Sequence, residues 1–285
     1  MESLKKHFSD KGWFVVDLPN PTPIFATRAY LQSELINLLG KNIPLEDYHL
    51  HVEDDDFHTQ LQIQMTKVFR EQKCGTRILE GQLSFFTALL GLDLYGQANP
   101  YLRITRPMKP QDNIGYHRDT FYGGSPYELS VLVPFVDLPE ECSLNVLSGS
   151  HIHAEDCYPT IQIENPDTAI RKGTDKHQLG FLYAPKVMHP SIEEKMEPVA
   201  LKVGQALVFS LSTVHGSVLN RGGVSRWSSD MRVMSALAPV DLTARPDYYK
   251  PLSYSVVTEA AKKYMIANGK ETRDHVELEL CHTAS

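Results

Sequence analysis

Residues 199–233 read "VALKVGQALVFSLSTVHGSVLNRGGVSRWSSDMRV". Short apolar runs are broken by turn residues, first at Gly204 and again at "NRGG". That rhythm predicts strands over 199–202, 206–210, 214–218 and 226–237. Two residues in it carry chemistry: His215 enters one strand and Arg226 opens the next. Each has an ordinary explanation when taken alone. A histidine after "FSLSTV" can be a satisfied core residue, and an arginine at a strand start is commonly an ion-pair partner.

The same rhythm extends back to "NPYLRITRP" (99–107), with further strands expected at 101–105, 114–118, 128–136, 143–147 and 179–183. Many short strands at this spacing indicate a sandwich or barrel rather than βαβ units. Ahead of this region the chain reads as mainly helical. A short helix breaks at Gly12 before a strand over Trp13–Val16; residues 27–40 carry apolar side chains at helical spacing and end in Gly; residues 58–94 continue the helical rhythm. After Pro239 the chain turns polar, with a helix expected over 256–268 and then a tail. The expected architecture is α+β, mainly β with a helical flank. It forms a single domain in three parts: 1–98 helical, 99–238 the β core, and 239–285 a C-terminal extension.

Composition narrows the function classes. The net charge of −7 and the lack of a basic stripe argue against nucleic acid as a partner. No apolar run approaches membrane-spanning length, and "MESLKKHFSDKGW" has no secretory h-region. Four scattered cysteines with no C-x-x-C pair fit a cytoplasmic protein with thiols. No dinucleotide, phosphate-loop or G-x-S-x-G signature is present.

The stretch "GYHRDTFYGG" (115–124) supplies what His215 lacks. His117 and Asp119 stand two apart, and His215 follows 98 positions after His117 (215 − 117). An antiparallel barrel brings such separations together. Two imidazoles and one carboxylate on one side of a metal leave three positions open, the ligand set of non-haem Fe(II) oxygenases. If the electron donor is a keto diacid, its far carboxylate needs a fixed cation. Arg226, eleven residues past His215 (226 − 215), has the planar fork for it, and Ser217 shares the face of His215.

In this order, His117-x-Asp119, His215 and Arg226 resemble the Fe(II)/2-oxoglutarate-dependent dioxygenases. More narrowly, "FSDKGWFVV", "ECSLNVLSGSH" (141–151) and "HGSVLNRGGVSR" (215–226) look like the phytanoyl-CoA hydroxylase-like branch. The resemblance covers residues 5–237. It departs at "SGSH", usually "PGSH", and at "VGQA", usually "GD". It implies a double-stranded β-helix, a jelly-roll relative of the cupins, with Fe(II), 2-oxoglutarate and O₂ as cofactors. His117, Asp119 and His215 would hold iron. Arg226 would bind the 2-oxoglutarate C5 carboxylate, with Ser217 and Phe135 beside the cosubstrate. The reaction implied is hydroxylation or desaturation of an unactivated C–H. The competing class is a cupin-like metal-dependent isomerase or epimerase that uses no 2-oxoglutarate.

Arg106, Arg118 and Tyr122 are candidates for contact with a small polar substrate, such as a carbohydrate or a specialised metabolite. Arg232 is a rival for the diacid, a substrate contact, or an ion-pair partner of Asp230. Two other clusters look metal-like. "HLHVEDDDFH" (49–58) reads as a solvated acidic loop, and "GSHIHAED" (149–156) as a structural turn. The C-terminal helix could form a lid or the contact of a homodimer.

Overall fold

The structure, a computed structural model, describes residues 2–161, 186–187, 192–217, 219–242, 245 and 247–270. Five helices lead: α1 (Glu2–Lys11), α2 (Thr22–Leu39), α3 (Asp55–Glu71), α4 (Cys74–Glu80) and α5 (Leu83–Leu90). Local sequence accounts for their ends. Pro23 sits in the first turn of α2, and Gly40 closes that helix at φ 64°. Asp54 caps α3 by accepting the Phe57 N–H.

Antiparallel strands follow β1 (Trp13–Asp17): β2 (Leu94–Gln97), β3 (Tyr101–Thr105), β4 (Glu128–Pro134), β5 (Leu144–Val146), the short pair β6 (Thr160–Ile161) and β7 (Lys186–Val187), then β8 (Glu197–Val199), β9 (Gln205–Ser210), β10 (His215–Ser217), β11 (Arg226–Ser235) and β12 (Tyr249–Ser253). The large sheet runs β1-β9-β4-β11-β2-β12, with β3 sharing the β11 edge used by β2; the small sheet runs β10-β5-β8. A last helix, α6 (Val256–Ala267), is capped by Ser255.

Every residue of β4 is buried, so the large sheet is covered on both faces. The helices cover one face. Trp227 of β11 meets Tyr48 at 5.4 Å between ring centroids and donates its indole N–H to the Leu45 carbonyl, while Phe135 meets Phe69 at 5.9 Å. One buried cluster therefore runs from Ile24 and Leu35 through Phe69 and Phe86 into Val131, Val133 and Val233. The small sheet faces the other side, and a pocket between the sheets is lined from both.

Three expected elements differ. Residues 114–118 form no strand; His117 makes an isolated bridge to His215. The helical reading of 58–94 ends early, because Gly91 stops α5 and Leu94 begins β2. β12 lies in the stretch read as polar extension; Pro251 is tolerated there because β12 is an edge strand. The strand expected at 179–183 lies outside the described residues. Among the described residues, no helix is long and apolar enough to cross a membrane.

Candidate metal centre

His117 and His215 are brought together by their backbones. Each donates its N–H to the other's carbonyl, at 2.8 and 2.9 Å, so the two residues stand directly opposite and their side chains share one face. The rings lie 4.4 Å apart between centroids. Such close backbone approach needs Gly216, where a Cβ would stand 2.8 Å from the Gly115 carbonyl oxygen. Arg118 is extended at φ −113°, ψ 141°, so Asp119, two residues after His117, returns to the same side.

The ligand atoms of His117, Asp119 and His215 lie within 4.8 Å of one another, and all three residues are buried. Nε2 of His117 is 3.6 Å from Asp119 Oδ1, and Nε2 of His215 is 3.8 Å from the same oxygen. The other ring nitrogens fix the tautomers. His117 Nδ1 lies 2.7 Å from the Gly115 carbonyl, and His215 Nδ1 lies 2.9 Å from the Thr213 carbonyl. A carbonyl only accepts, so each Nδ1 carries a proton, and each Nε2 is the nitrogen that faces Oδ1. That outer hydrogen bond is the usual support of a metal-binding histidine. Burial, followed by the neighbouring His117, lowers the His215 pKa to about 4, so its imidazole is neutral at physiological pH. Burial alone would raise the Asp119 pKa, but Arg232 and then the imidazoles outweigh it and hold the carboxyl well below its usual range. Two imidazole nitrogens and one anionic oxygen converging on a point fit a divalent cation.

The turn at 148–151 holds the second histidine in place. Ser150 Oγ accepts the Val214 N–H at 2.8 Å, next to His215, and donates to the Leu147 carbonyl. Arg118, between two of the candidate ligands, points to the opposite side and donates to the Ser150 and His153 carbonyls. Gly12, in the opening motif, sits at φ 82° and presses on this turn; a Cβ there would be 2.5 Å from the His151 ring.

Above the triad the pocket holds about 440 Å³ of empty space, part of it open to solvent. Arg226, Ser217, Leu132, Leu144 and Phe209 line it together with Arg103, Asp230 and Arg232. Arg226 is buried, and its Nε donates to Ser228 Oγ at 3.1 Å, but its Nη1 has no hydrogen-bond partner among the described residues. Burial also pushes its pKa down, only partly offset by Asp230.

The structure thus gathers His117, Asp119, His215, Ser217, Arg226 and Arg232 at one pocket. Three other candidates lie elsewhere. Arg106 is held by Asp112 and Asp55 and by the carbonyls of residues 52–54. Arg118 clamps the Ser150 turn. Phe135 packs against Phe69 on the helical side, because alternation along β4 sends Ser130 and Leu132 inward and Phe135 outward. The Tyr122 side chain is not among those described. Arg232 takes the ion pair with Asp230 at 3.5 Å and also donates to Asp119 Oδ2. The carbonyls of Gly115 and Thr213 could not be read from sequence. Ser130, which accepts from Arg232, could have been: it is a lone hydroxyl at an inward position of "ELSVLVP".

No family model and no curated protein sequence matches the chain. Solved structures do. A non-heme monooxygenase, ThoJ, matches in its apo form at 17% identity and TM-score 0.57, covering 94% of this chain and 95% of that one. Its nickel complex matches at 18% identity and TM-score 0.54, covering 88% and 84%. The chain shares its fold with that protein. The alpha ketoglutarate-dependent epimerase SnoN matches less well, at 16% identity and TM-score 0.44 over 82% of this chain and 80% of that one. At that distance the likeness says nothing of the chemistry of this chain.

Proposed function

We propose that the chain is a non-haem Fe(II)- and 2-oxoglutarate-dependent dioxygenase of the phytanoyl-CoA hydroxylase-like kind, built on a double-stranded β-helix. Its reaction is hydroxylation or desaturation of an unactivated C–H in a small polar metabolite, such as a carbohydrate. The observation that carries this reading is the unpartnered Nη1 of buried Arg226, in the same pocket as two tautomer-fixed imidazoles and a carboxylate. A buried guanidinium nitrogen without an acceptor is costly, and a bound carboxylate would remove the cost.

Iron, 2-oxoglutarate and O₂ would supply the oxidising chemistry when bound. The residues do the rest. His117 and His215 present Nε2 lone pairs, and Asp119 presents one anionic oxygen. Arg226, with Ser217, would anchor the far carboxylate of the diacid through charge-assisted hydrogen bonds. Leu132, Leu144 and Phe209 keep water from the inner end of the pocket. Arg103 and Asp230 offer polar contacts for the substrate or the cosubstrate. The setting is the cytoplasm, with Cys74, Cys142 and Cys157 as thiols; the partner is a small molecule, with neither nucleic acid nor membrane required, and a homodimer through the C-terminal helix is compatible.

Anaerobic addition of Fe(II) and then 2-oxoglutarate tests this reading. A weak visible charge-transfer band is expected, absent with either component alone. Metal uptake without a band would point instead to a metal-dependent isomerase or epimerase that needs no keto acid.

A further inference from the structure

Asp119 has two oxygens, and they face different surroundings. Oδ1 stands 3.6 and 3.8 Å from the two histidine Nε2 atoms. Oδ2 accepts a hydrogen bond from Arg232 Nη2. Arg232 is itself fixed at three further points. Its Nη1 donates to Ser130 Oγ on the neighbouring strand and lies 3.5 Å from Asp230, and its backbone N–H donates to Gln97 Oε1 at 3.2 Å. Asp230 is in turn 3.6 Å from Arg103. The four charges alternate in sign, Arg103–Asp230–Arg232–Asp119, and all four side chains line the pocket.

We infer that Arg232 is a positioning residue for Asp119: it occupies Oδ2 so that Oδ1 alone is offered to the metal. The inference rests on the metal reading of the triad. A carboxylate that turned both oxygens inward would fill one of the positions needed by a two-point keto acid and O₂. The guanidinium opposes that turn because Nη2 would lose its acceptor, and a buried charge stripped of its partner is costly. Outer partners of this kind typically change metal affinity by about 10–100-fold. The two arginines of β11 then divide the labour. Arg226 keeps a free donor for a ligand, whereas Arg232 bonds to Asp119 and Ser130.

Cobalt(II) is the probe, because its visible ligand-field bands report the ligand set without turnover. Titration of the wild type, Arg232→Met, Arg232→Lys and Ser130→Ala gives both affinity and band shape. Arg232→Met is expected to bind cobalt 10–100-fold more weakly and with shifted bands. Arg232→Lys should restore part of both. Ser130→Ala leaves the Asp119 contact in place while loosening the guanidinium, and should move affinity and bands the same way by about threefold. If Arg232→Met does not fold, Arg232→Lys and Ser130→Ala decide alone. Wild-type affinity and bands in every folded variant would overturn the inference while leaving the metal reading intact. A wild type that takes up no cobalt would overturn the metal reading, and this inference with it.

Discussion

Two buried clusters in this protein have nearly the same composition. In one, His58 Nε2 lies 3.6 Å from Asp112 Oδ1, and Asp112 pairs with Arg106 at 2.9 and 3.0 Å. In the other, His117 Nε2 lies 3.6 Å from Asp119 Oδ1, and Asp119 pairs with Arg232. The first cluster is closed. Tyr48 bonds to the other nitrogen of His58 at 2.9 Å, the Arg106 backbone N–H donates to Asp112 Oδ2, and three carbonyls and Asp55 take up the rest of the guanidinium. The second is left open by a second imidazole aimed at the same oxygen and by a pocket beside it. A histidine, an aspartate and an arginine therefore do not make a site. What distinguishes the site is the convergence of three potential ligand atoms beside a pocket that Arg226 also lines.

The largest contrast is expected from neutralising each aspartate. Asp119→Asn should abolish metal uptake. Asp112→Asn should cost about 3–5 kcal/mol of stability, because it strips the partner from buried Arg106. Its folded fraction should still bind metal as the wild type does. Calorimetric metal titration alongside thermal melts separates the two, and loss of metal uptake in Asp112→Asn would erase the distinction.

The arginines sharpen it next. Arg106→Met should destabilise by about 3–5 kcal/mol. Arg226→Met should leave the melting temperature unchanged or raise it, since one of its donors is unpaired. The same change should weaken 2-oxoglutarate binding by about 10–100-fold, the value of a hydrogen bond or two to a charged group. A strongly destabilised Arg226→Met would mean that the guanidinium serves the fold.

A smaller effect concerns pH. Burial lowers the His58 pKa to about 4 from an unfolded value of 6.5. The unfolded chain therefore takes up the proton first as pH falls. The contribution is full above pH 6.5, declines between 6.5 and 4, and amounts to about 3 kcal/mol at most. Chemical denaturation of His58→Gln should show a shallower loss of stability over that window than the wild type. An unchanged slope would place the acid sensitivity elsewhere.

The smallest effect is steric. Gly216→Ala should push the backbone of residues 115–116 by a few tenths of an ångström and weaken metal binding severalfold, with a stability cost of about 1–3 kcal/mol. Unaltered affinity would show that the two histidine backbones can part without moving their rings.

The sequence revealed the parts of this site that depend on residue type and spacing: His117 and Asp119 on alternate positions, His215 on a strand, and Arg226 and Ser217 on inward faces. It could not say which buried arginines were already engaged. Arg106 meets Asp112 only because a short turn over Pro110–Asp112 folds back, and Arg118 meets Ser150 across 32 residues. Phe135 could have been placed by parity, since counting outward from inward-facing Leu132 puts it with the helices. In the fold, short runs of β-formers bounded by turn residues marked β4, β9 and β11. "LDLYGQ" continued an apolar helical run without a break other than Gly91, and β12 is held by pairing to β2 rather than by its own propensity.

A crystal grown without oxygen and soaked with manganese(II) and 2-oxoglutarate tests the central claim most directly. Anomalous density for one ion is expected between His117 Nε2, His215 Nε2 and Asp119 Oδ1, with the distal carboxylate of the keto acid on Arg226 Nη1. An ion held by other residues, or a keto acid that leaves Nη1 unpartnered, would contradict it.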